Sequence, residues 1–172
     1  VRMAHYSQRI ARQLGLDDEL CERILSAAPM HDIGKVGTPD HILLKPGRLT
    51  AEELFVMRQH SRIGHDILQG SSSPMIQMAA EIALTHHEKF DGSGYPDGTI
   101  GEAIPISGRI VAVADVFDAL TSPRPYKEAW PLERAFDFIK TGRGSHFDPA
   151  CVDAFFAVIP EILLIRERFQ DE

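Results

Sequence analysis

The chain has 172 residues, 44% of them hydrophobic and 25% charged, and its formal net charge at pH 7 is −7. This size and composition are typical of one globular domain with a substantial core. The acidic balance argues against a broad DNA or RNA surface. No apolar run approaches the roughly 20 residues that span a bilayer, so we expect no membrane contact in this segment. The two cysteines lie far apart in the chain, which suits a reducing cytoplasm.

Helical periodicity runs through most of the chain. Thr50 and Glu53 have the T-x-x-E form of a capping box, and Asp148-Pro149 is a good start for a C-terminal helix that Pro160 bends or breaks. Strand-type alternation is nearly absent, so we predict an all-α bundle of about seven helices. The predicted helices cover 3–14, 18–30, 51 to near 70, 75–88, 107–122, 131–142 and 149 to near 169.

Two segments, 35–49 and 89–106, are predicted to be irregular. The two cysteines, Cys21 and Cys151, lie in apolar helical patterns and are expected to be buried thiols rather than a disulfide. We expect residues 1–172 to form a single domain excised from a longer protein with an N-terminal sensory or receiver domain. The apolar C-terminal helix is open to two interpretations, a packed helix or a homodimer contact.

Seven residues are candidate metal ligands, in groups that recur about every 26 to 29 positions. This spacing equals one helix plus its return, so an antiparallel bundle can bring the groups to one level. Adjacent helical residues diverge by about 100°, so His86 and His87 both point inward only toward an extended object, such as two metals about 3.5 to 4 Å apart. The candidates are His5, His31, Asp32, His60, His86, His87 and Asp115.

Alternatives exist for single members of this set. His5 or His60 alone would be an ordinary surface histidine, and Asp115 beside the buried face of its helix could instead pair with Arg109. His41, His65 and His146 fit no ligand pattern and are expected to be structural. Nitrogen and oxygen ligands without thiolate favour iron, manganese or another first-row metal over structural zinc.

Four motifs occur in a recognisable order: HDIGK at 31–35, LLKPG at 43–47, HHEKFDGSGYP at 86–96, and ADVFDAL with RPYK between 114 and 127. Together they resemble the HD-GYP phosphodiesterases, a branch of the HD metal-dependent phosphohydrolases. The resemblance implies an all-α HD-domain bundle with an irregular GYP loop. The GYP loop is defined here as residues 89–106. It also implies hydrolysis of cyclic di-GMP at a metal centre that is di- or trinuclear.

Carried over by position, the resemblance implies that all seven candidates bind metal and that Asp32 bridges. Members with a third metal carry a glutamate one turn before the first histidine, where this chain has Val1, so two divalent ions, iron or manganese, are expected. Hydroxide held between them would cleave cyclic di-GMP to pGpG, with further cleavage to GMP left open. The implied catalytic residues are Asp32, Lys35 and a supporting Asp118, and the substrate contacts are Lys35, Tyr95, Arg124 and Lys127.

Two other functions stay open at this stage. One is a catalytically weak receptor that binds a cyclic dinucleotide and reports it to a partner. The other is an HD phosphohydrolase acting on a mononucleotide, (p)ppGpp or a guanine-adenine cyclic dinucleotide. The resemblance also implies that the GYP loop can bind diguanylate cyclase (GGDEF) domains.

Overall fold

The fold is an all-helical bundle, as predicted. The computed structural model describes residues 1–125 and 127–170, and within these ranges it contains ten α-helices and no named strand. The α-helices are α1 Arg2–Gln13, α2 Asp18–Ala27, α3 Asp40–Leu43, α4 Ala51–Arg58, α5 His60–Leu68, α6 Pro74–Thr85, α7 Ile106–Thr121, α8 Leu132–Thr141, α9 Pro149–Ala157 and α10 Ile159–Arg168. Three short 3-10 helices cover Ala28–Met30, Ile33–Gly37 and Gly101–Ala103.

The structure has ten α-helices in its described residues where about seven were predicted, because two predicted helices are divided and one extra turn, α3, forms in the segment expected to be irregular. The capping box of Thr50 and Glu53 is present, but the helix that it starts ends at Arg58, and α5 begins at His60. The C-terminal helix divides at Val158, with Pro160 in the first turn of α10. The helix predicted over 75–88 ends at Thr85, so both His86 and His87 lie beyond it.

The core is built around α1 and α7, which pack on each other. The ring of Phe117 makes an edge-to-face contact with Tyr6 at 5.3 Å between centroids and another with Phe155 at 5.1 Å. All three side chains are fully buried, and burying each contributes roughly 1.5–3 kcal/mol to stability. Cys21 and Cys151 are buried and unpaired with each other, which confirms the prediction of free thiols.

Arg109 joins the beginning of α7 to the beginning of α9. Its Nη1 donates to Asp148 Oδ2 at 2.7 Å, and its Nε donates to the Ile104 carbonyl at 2.8 Å. The other oxygen of Asp148 accepts from the Ala150 N–H and caps α9. The guanidinium is therefore engaged by Asp148, and the alternative pairing of Arg109 with Asp115 is wrong.

Two glycines allow close approach of the elements that carry the candidate ligands. A Cβ on Gly34 would lie 1.8 Å from the His60 carbonyl oxygen and 2.5 Å from the Gly64 nitrogen, so the turn after Asp32 touches the α5 backbone. A Cβ on Gly108 would lie 2.1 Å from Thr85 Oγ1, so the Thr85 side chain at the end of α6 packs directly on the α7 backbone. Within the described ranges, no helix has both the length and the apolar character needed to cross a membrane.

Candidate metal centre

Four side chains from separate parts of the chain converge on one point. Asp32, His60, His86 and His87 each offer a ligand atom, and these atoms all lie within 4.8 Å of one another. Asp32 precedes the 3-10 helix Ile33–Gly37, His60 is the first residue of α5, and the two histidines follow α6. The end of one helix and the start of another thus bring together residues that are up to 55 positions apart.

His31 extends this cluster toward α7. Its Nε2 lies 3.1 Å from Asp32 Oδ2 and 3.4 Å from Asp115 Oδ1. The structure therefore brings six of the seven predicted ligands into one network, which supports their assignment as a group.

The three imidazoles nearest to Asp32 are oriented by the backbone. The Nδ1 atoms of His31, His60 and His86 lie 2.9, 2.7 and 2.9 Å from the carbonyl oxygens of Ala28, Met57 and Ile82. A carbonyl oxygen only accepts, so each Nδ1 is the N–H donor, and in the neutral ring Nε2 carries the lone pair. Donation by the second ring nitrogen is the usual way in which a protein orients a metal-binding histidine.

The Nε2 atoms of His60 and His86 are buried and make no hydrogen bond to a described residue. They point at Asp32 Oδ1 from 3.4 and 3.5 Å, beyond the usual 2.7–3.2 Å of an N–H···O hydrogen bond. Buried polar atoms without a partner are rare in folded proteins. Two buried nitrogen lone pairs that converge on one carboxylate oxygen fit the binding of a divalent cation.

The charges of the cluster are strongly coupled. Burial alone would raise the pKa of Asp32, but the neighbouring imidazoles of His31, His60 and His86 lower it, so the carboxylate stays ionised. Burial alone would lower the pKa of His31, but the carboxylates of Asp115 and Asp32 raise it to about 10. Burial and the neighbouring His86 lower the pKa of His87 to about 2. His87 is therefore neutral, as a metal ligand must be.

Two predicted substrate contacts lie directly on this network. Lys35 Nζ is 3.1 Å from Asp32 Oδ2. The ring of Tyr95 stacks on the ring of His87 with centroids 4.9 Å apart and an angle of 18° between the planes. Burial raises the pKa of Tyr95 to about 12, so its phenol is uncharged at neutral pH.

Other predicted residues have their described contacts away from the cluster. Arg124 and Lys127 are exposed and joined to each other by two backbone hydrogen bonds, and the Lys127 ammonium lies 5.5 Å from the Trp130 ring centroid. Asp118 accepts from Arg2 Nε at 2.5 Å and from Ser122 Oγ at 3.3 Å. The roles assigned to these three residues stay predictions.

His5, the seventh candidate ligand, lies on α1, where its ring stacks on Phe169 with centroids 4.7 Å apart. It is not among the four residues whose ligand atoms converge within 4.8 Å. Its assignment as a ligand also stays a prediction.

Sequence reasoning assigned no role to Glu88, which organises the GYP loop. Its side chain is buried, with an exposed fraction of 2%, and its two oxygens accept from the backbone N–H groups of Asp97 at 2.8 Å and Thr99 at 3.0 Å. The Tyr95 N–H donates to the His87 carbonyl at 3.2 Å. The sequence offered one signal for this role, an acid immediately after two candidate ligands. Such a position is close to the core, and a buried carboxylate requires hydrogen-bond donors.

The first residues of the GYP loop are anchored to the segment before α9. The N–H groups of Phe90 and Asp91 donate to the carbonyls of His146 and Ser145 at 3.1 and 2.8 Å. The His146 ring stacks on Phe147 at 4.0 Å between centroids. His146 therefore has the structural surroundings predicted for it.

Comparison with known proteins identifies what the chain is similar to. The family model of the HD domain matches residues 1–151. The chain is 58% identical over 153 residues to the cyclic di-GMP phosphodiesterase response regulator RpfG of Xanthomonas campestris pv. campestris, a match that covers 89% of this chain and 40% of that protein. It is 53% identical over 171 residues to a cyclic di-GMP phosphodiesterase of Thermotoga maritima, covering 99% of this chain and 46% of that protein. The chain thus spans less than half the length of these relatives.

The fold has a counterpart among solved structures. A crystal structure of a cyclic GMP-AMP specific phosphodiesterase of Vibrio cholerae superposes with a TM-score of 0.63 at 21% identity. The match covers 94% of this chain and 44% of that chain. At this identity the likeness establishes the fold, and the all-helical architecture agrees with it.

Proposed function

The chain belongs to the HD domain family, in its HD-GYP branch, and from this premise we propose that it is a metal-dependent phosphodiesterase that hydrolyses cyclic di-GMP to pGpG. HD domains bind divalent metal, and the cluster around Asp32 fits such binding. The observation that carries the proposal is the pair of buried lone pairs on His60 and His86 that converge on Asp32 Oδ1.

We propose two divalent cations, iron or manganese, because the donors are nitrogen and oxygen atoms and include no thiolate. Cations bound there would supply a water of lowered pKa as the nucleophile and Lewis-acid stabilisation of the phosphoryl oxygens. The residues that would hold them are His5, His31, Asp32, His60, His86, His87 and Asp115. Asp32 lies between His31 on one oxygen and His60 and His86 on the other, a placement that supports its bridging role.

The side chains around the centre can position and neutralise the substrate. The Lys35 ammonium, next to Asp32, is placed to bind a phosphoryl oxygen and to stabilise charge that develops on it during cleavage. Tyr95 packs against His87 and offers an uncharged aromatic surface to a nucleobase. Arg124 and Lys127 are exposed cations that can meet the second phosphate of a cyclic dinucleotide.

Asp118 is better described as a positioning residue than as a catalytic one. Its ion pair with Arg2 joins α7, which carries Asp115, to α1, which carries His5 three residues after Arg2. This contact would fix the relative positions of two ligands without touching the substrate.

Several finer predictions accompany this function. Since the substrate is a bacterial intracellular messenger, we place the enzyme in the cytoplasm. GGDEF domains are proposed to dock on the GYP loop, and a homodimer could use the apolar C-terminal helix, where Leu164 is exposed. Further cleavage of pGpG to GMP stays an open part of the proposal.

The decisive experiment combines metal analysis with product analysis. The protein is purified without oxygen, its metal content is measured, and hydrolysis of cyclic di-GMP with Fe(II) or Mn(II) is followed by chromatography of pGpG and GMP. Turnover with a loaded site supports the enzyme. Tight nucleotide binding without turnover at a fully loaded site would instead identify a receptor, and turnover of (p)ppGpp alone would identify a different HD hydrolase.

A further inference from the structure

A cavity of about 390 Å³ lies beside the metal centre, lined by residues of α4, α5 and the GYP loop. This volume falls in the range of small-molecule pockets. Its helical wall consists of Phe55, Arg58, Gln59 and Arg62, and its loop wall consists of Tyr95 and Pro96. Gln59 keeps a right-handed helical backbone between the two helices, so the spacing i, i+3, i+4, i+7 places these four residues on one face.

The lining of the cavity combines aromatic rings with guanidinium groups. Phe55 has an exposed fraction of 68%, which is high for a phenylalanine, and Tyr95 faces it from the loop wall. Arg58 Cζ lies 4.9 Å from the centroid of the Tyr95 ring, and Arg62 forms an ion pair with Asp97. Among the described residues that line the cavity, none carries a carboxylate. A flat ligand with hydrogen-bond acceptors on its edge fits this combination.

The cavity adjoins two of the candidate metal ligands. Gln59 directly precedes His60, and Tyr95 stacks on His87, while the rings of His60 and His87 lie 5.0 Å apart between centroids. In a cyclic dinucleotide each base is attached to a ribose that bears the phosphates. A phosphate held at the metal centre therefore leaves a base close enough to enter the cavity.

We propose that this cavity binds a guanine base of the substrate and that Arg58 determines specificity by donating to the O6 and N7 atoms of guanine. This inference rests on the proposed function. Guanine offers two adjacent acceptors on that edge, and a bidentate guanidinium matches them. Adenine carries an amino donor in place of O6, and arginine has no acceptor with which to pair it. Contact with the Tyr95 ring holds the Arg58 guanidinium at the cavity before the base arrives.

The test measures steady-state kinetics and inhibition with defined nucleotides. Four proteins are assayed: wild type, Arg58→Ala, Arg58→Lys and the control Arg48→Ala. The substrates are cyclic di-GMP and its 7-deazaguanine analogue, which lacks N7. Cyclic di-AMP is tested as an inhibitor. Arg48 is exposed and does not line the cavity, so Arg48→Ala is expected to match wild type. Metal content and the melting temperature of each variant establish that the centre and the fold are intact.

Arg58→Ala is expected to raise KM for cyclic di-GMP by about tenfold to a hundredfold, with kcat unchanged and the inhibition constant of cyclic di-AMP changed less than about twofold. Arg58→Lys keeps the charge but lacks the planar fork, so it is not expected to restore KM. The 7-deaza analogue should raise KM in wild type and have little further effect in Arg58→Ala, because both changes remove the same contact.

Three results would overturn the inference. The first is that Arg58→Ala weakens the binding of cyclic di-GMP and of cyclic di-AMP equally. The second is that the 7-deaza analogue raises KM in Arg58→Ala as much as it does in wild type. The third is that Arg58→Ala leaves KM for cyclic di-GMP unchanged. An unchanged KM with lost binding of a GGDEF domain would identify the cavity as a docking surface instead. If metal-loaded wild type cleaves no cyclic dinucleotide, the proposed function fails, and the same nucleotides titrated by calorimetry still decide what the cavity binds.

Discussion

The backbone N–H of Asp97 donates a 2.8 Å hydrogen bond to the buried carboxylate of Glu88. The same carboxylate also binds the Thr99 N–H, and Glu88 directly follows His87 in the chain. One side chain thus fixes the GYP loop relative to the candidate metal ligands. The position of Tyr95 is therefore coupled to the geometry of the centre.

Replacing Glu88 by glutamine tests this coupling. The amide has one acceptor oxygen where the carboxylate has two, and its NH2 group would face a backbone N–H. We expect a loss of about 1–3 kcal/mol in the free energy of unfolding and a raised KM for cyclic di-GMP. Urea denaturation and kinetics measure both effects, with Glu102→Gln, an exposed acid of the same loop, as the control. Unchanged stability and KM would show that the loop does not depend on Glu88.

Gly34→Ala should disturb the candidate metal centre without changing any candidate ligand. The added methyl group would meet the His60 carbonyl oxygen at 1.8 Å, so the turn after Asp32 and α5 must separate. We expect destabilisation of about 3 kcal/mol or more, together with reduced metal content. Gly37→Ala is the matched control, because its Cβ would meet the Ile63 side chain, with Cδ1 at 3.0 Å and Cγ2 at 3.2 Å, where Gly34→Ala meets backbone. A melting temperature of Gly34→Ala equal to that of wild type would contradict the close contact.

Asp32→Asn should separate metal binding from folding. The substitution keeps the shape of the side chain but removes the charge shared by His31, His60 and His86. Replacing even an outer partner of a metal ligand commonly lowers affinity 10–100-fold, so we expect at least about a hundredfold loss. In wild type, Mn(II) should raise the melting temperature, and in Asp32→Asn this gain should disappear along with turnover. Asp66→Asn, at an exposed position on α5, serves as the control.

The pH dependence of stability should include a contribution from His146. Burial and the nearby Lys89 lower its pKa to about 4, while Asp91 acts in the opposite direction. The unfolded state, with a pKa near 6.5, therefore binds more protons between about pH 6.5 and pH 4. This contribution is fully present above that range and is lost as the pH falls through it. Because the ring is partly exposed, we expect on the order of 1 kcal/mol.

His146→Phe keeps an aromatic ring to stack on Phe147 but cannot bind a proton. Urea denaturation at pH 7.0 and pH 4.5 should show a smaller difference in unfolding free energy for this variant than for wild type. The exposed His41→Asn should retain the wild-type difference. Equal differences in wild type and His146→Phe would exclude His146 as the source.

Much of the fold could be predicted from the sequence because its helices carry strong periodicity and caps. The division at Gln59 could not, because neither glycine nor proline marks it and Gln59 itself stays helical in its backbone angles. The extra turn α3 has only four residues, too few for a periodic signal.

The motifs in the sequence picked out seven candidate ligands, and six of these residues meet in one network. Two supporting contacts were not predictable. Asp118 pairs with Arg2 across 116 positions, and Glu88 binds backbone N–H groups, which leave no side-chain pattern in the sequence. Local spacing cannot identify partners of either kind.

The ring of Tyr95 contacts both the His87 imidazole and the Arg58 guanidinium. An evolutionary constraint follows from this double contact, because any replacement of Tyr95 alters the packing of a candidate metal ligand at the same time as the cavity wall. A replacement at position 58 does not have this double effect, since the Arg58 side chain is exposed on the surface of α4. Related enzymes that diverge in their choice of base would therefore be expected to vary at this helical position while they retain the tyrosine.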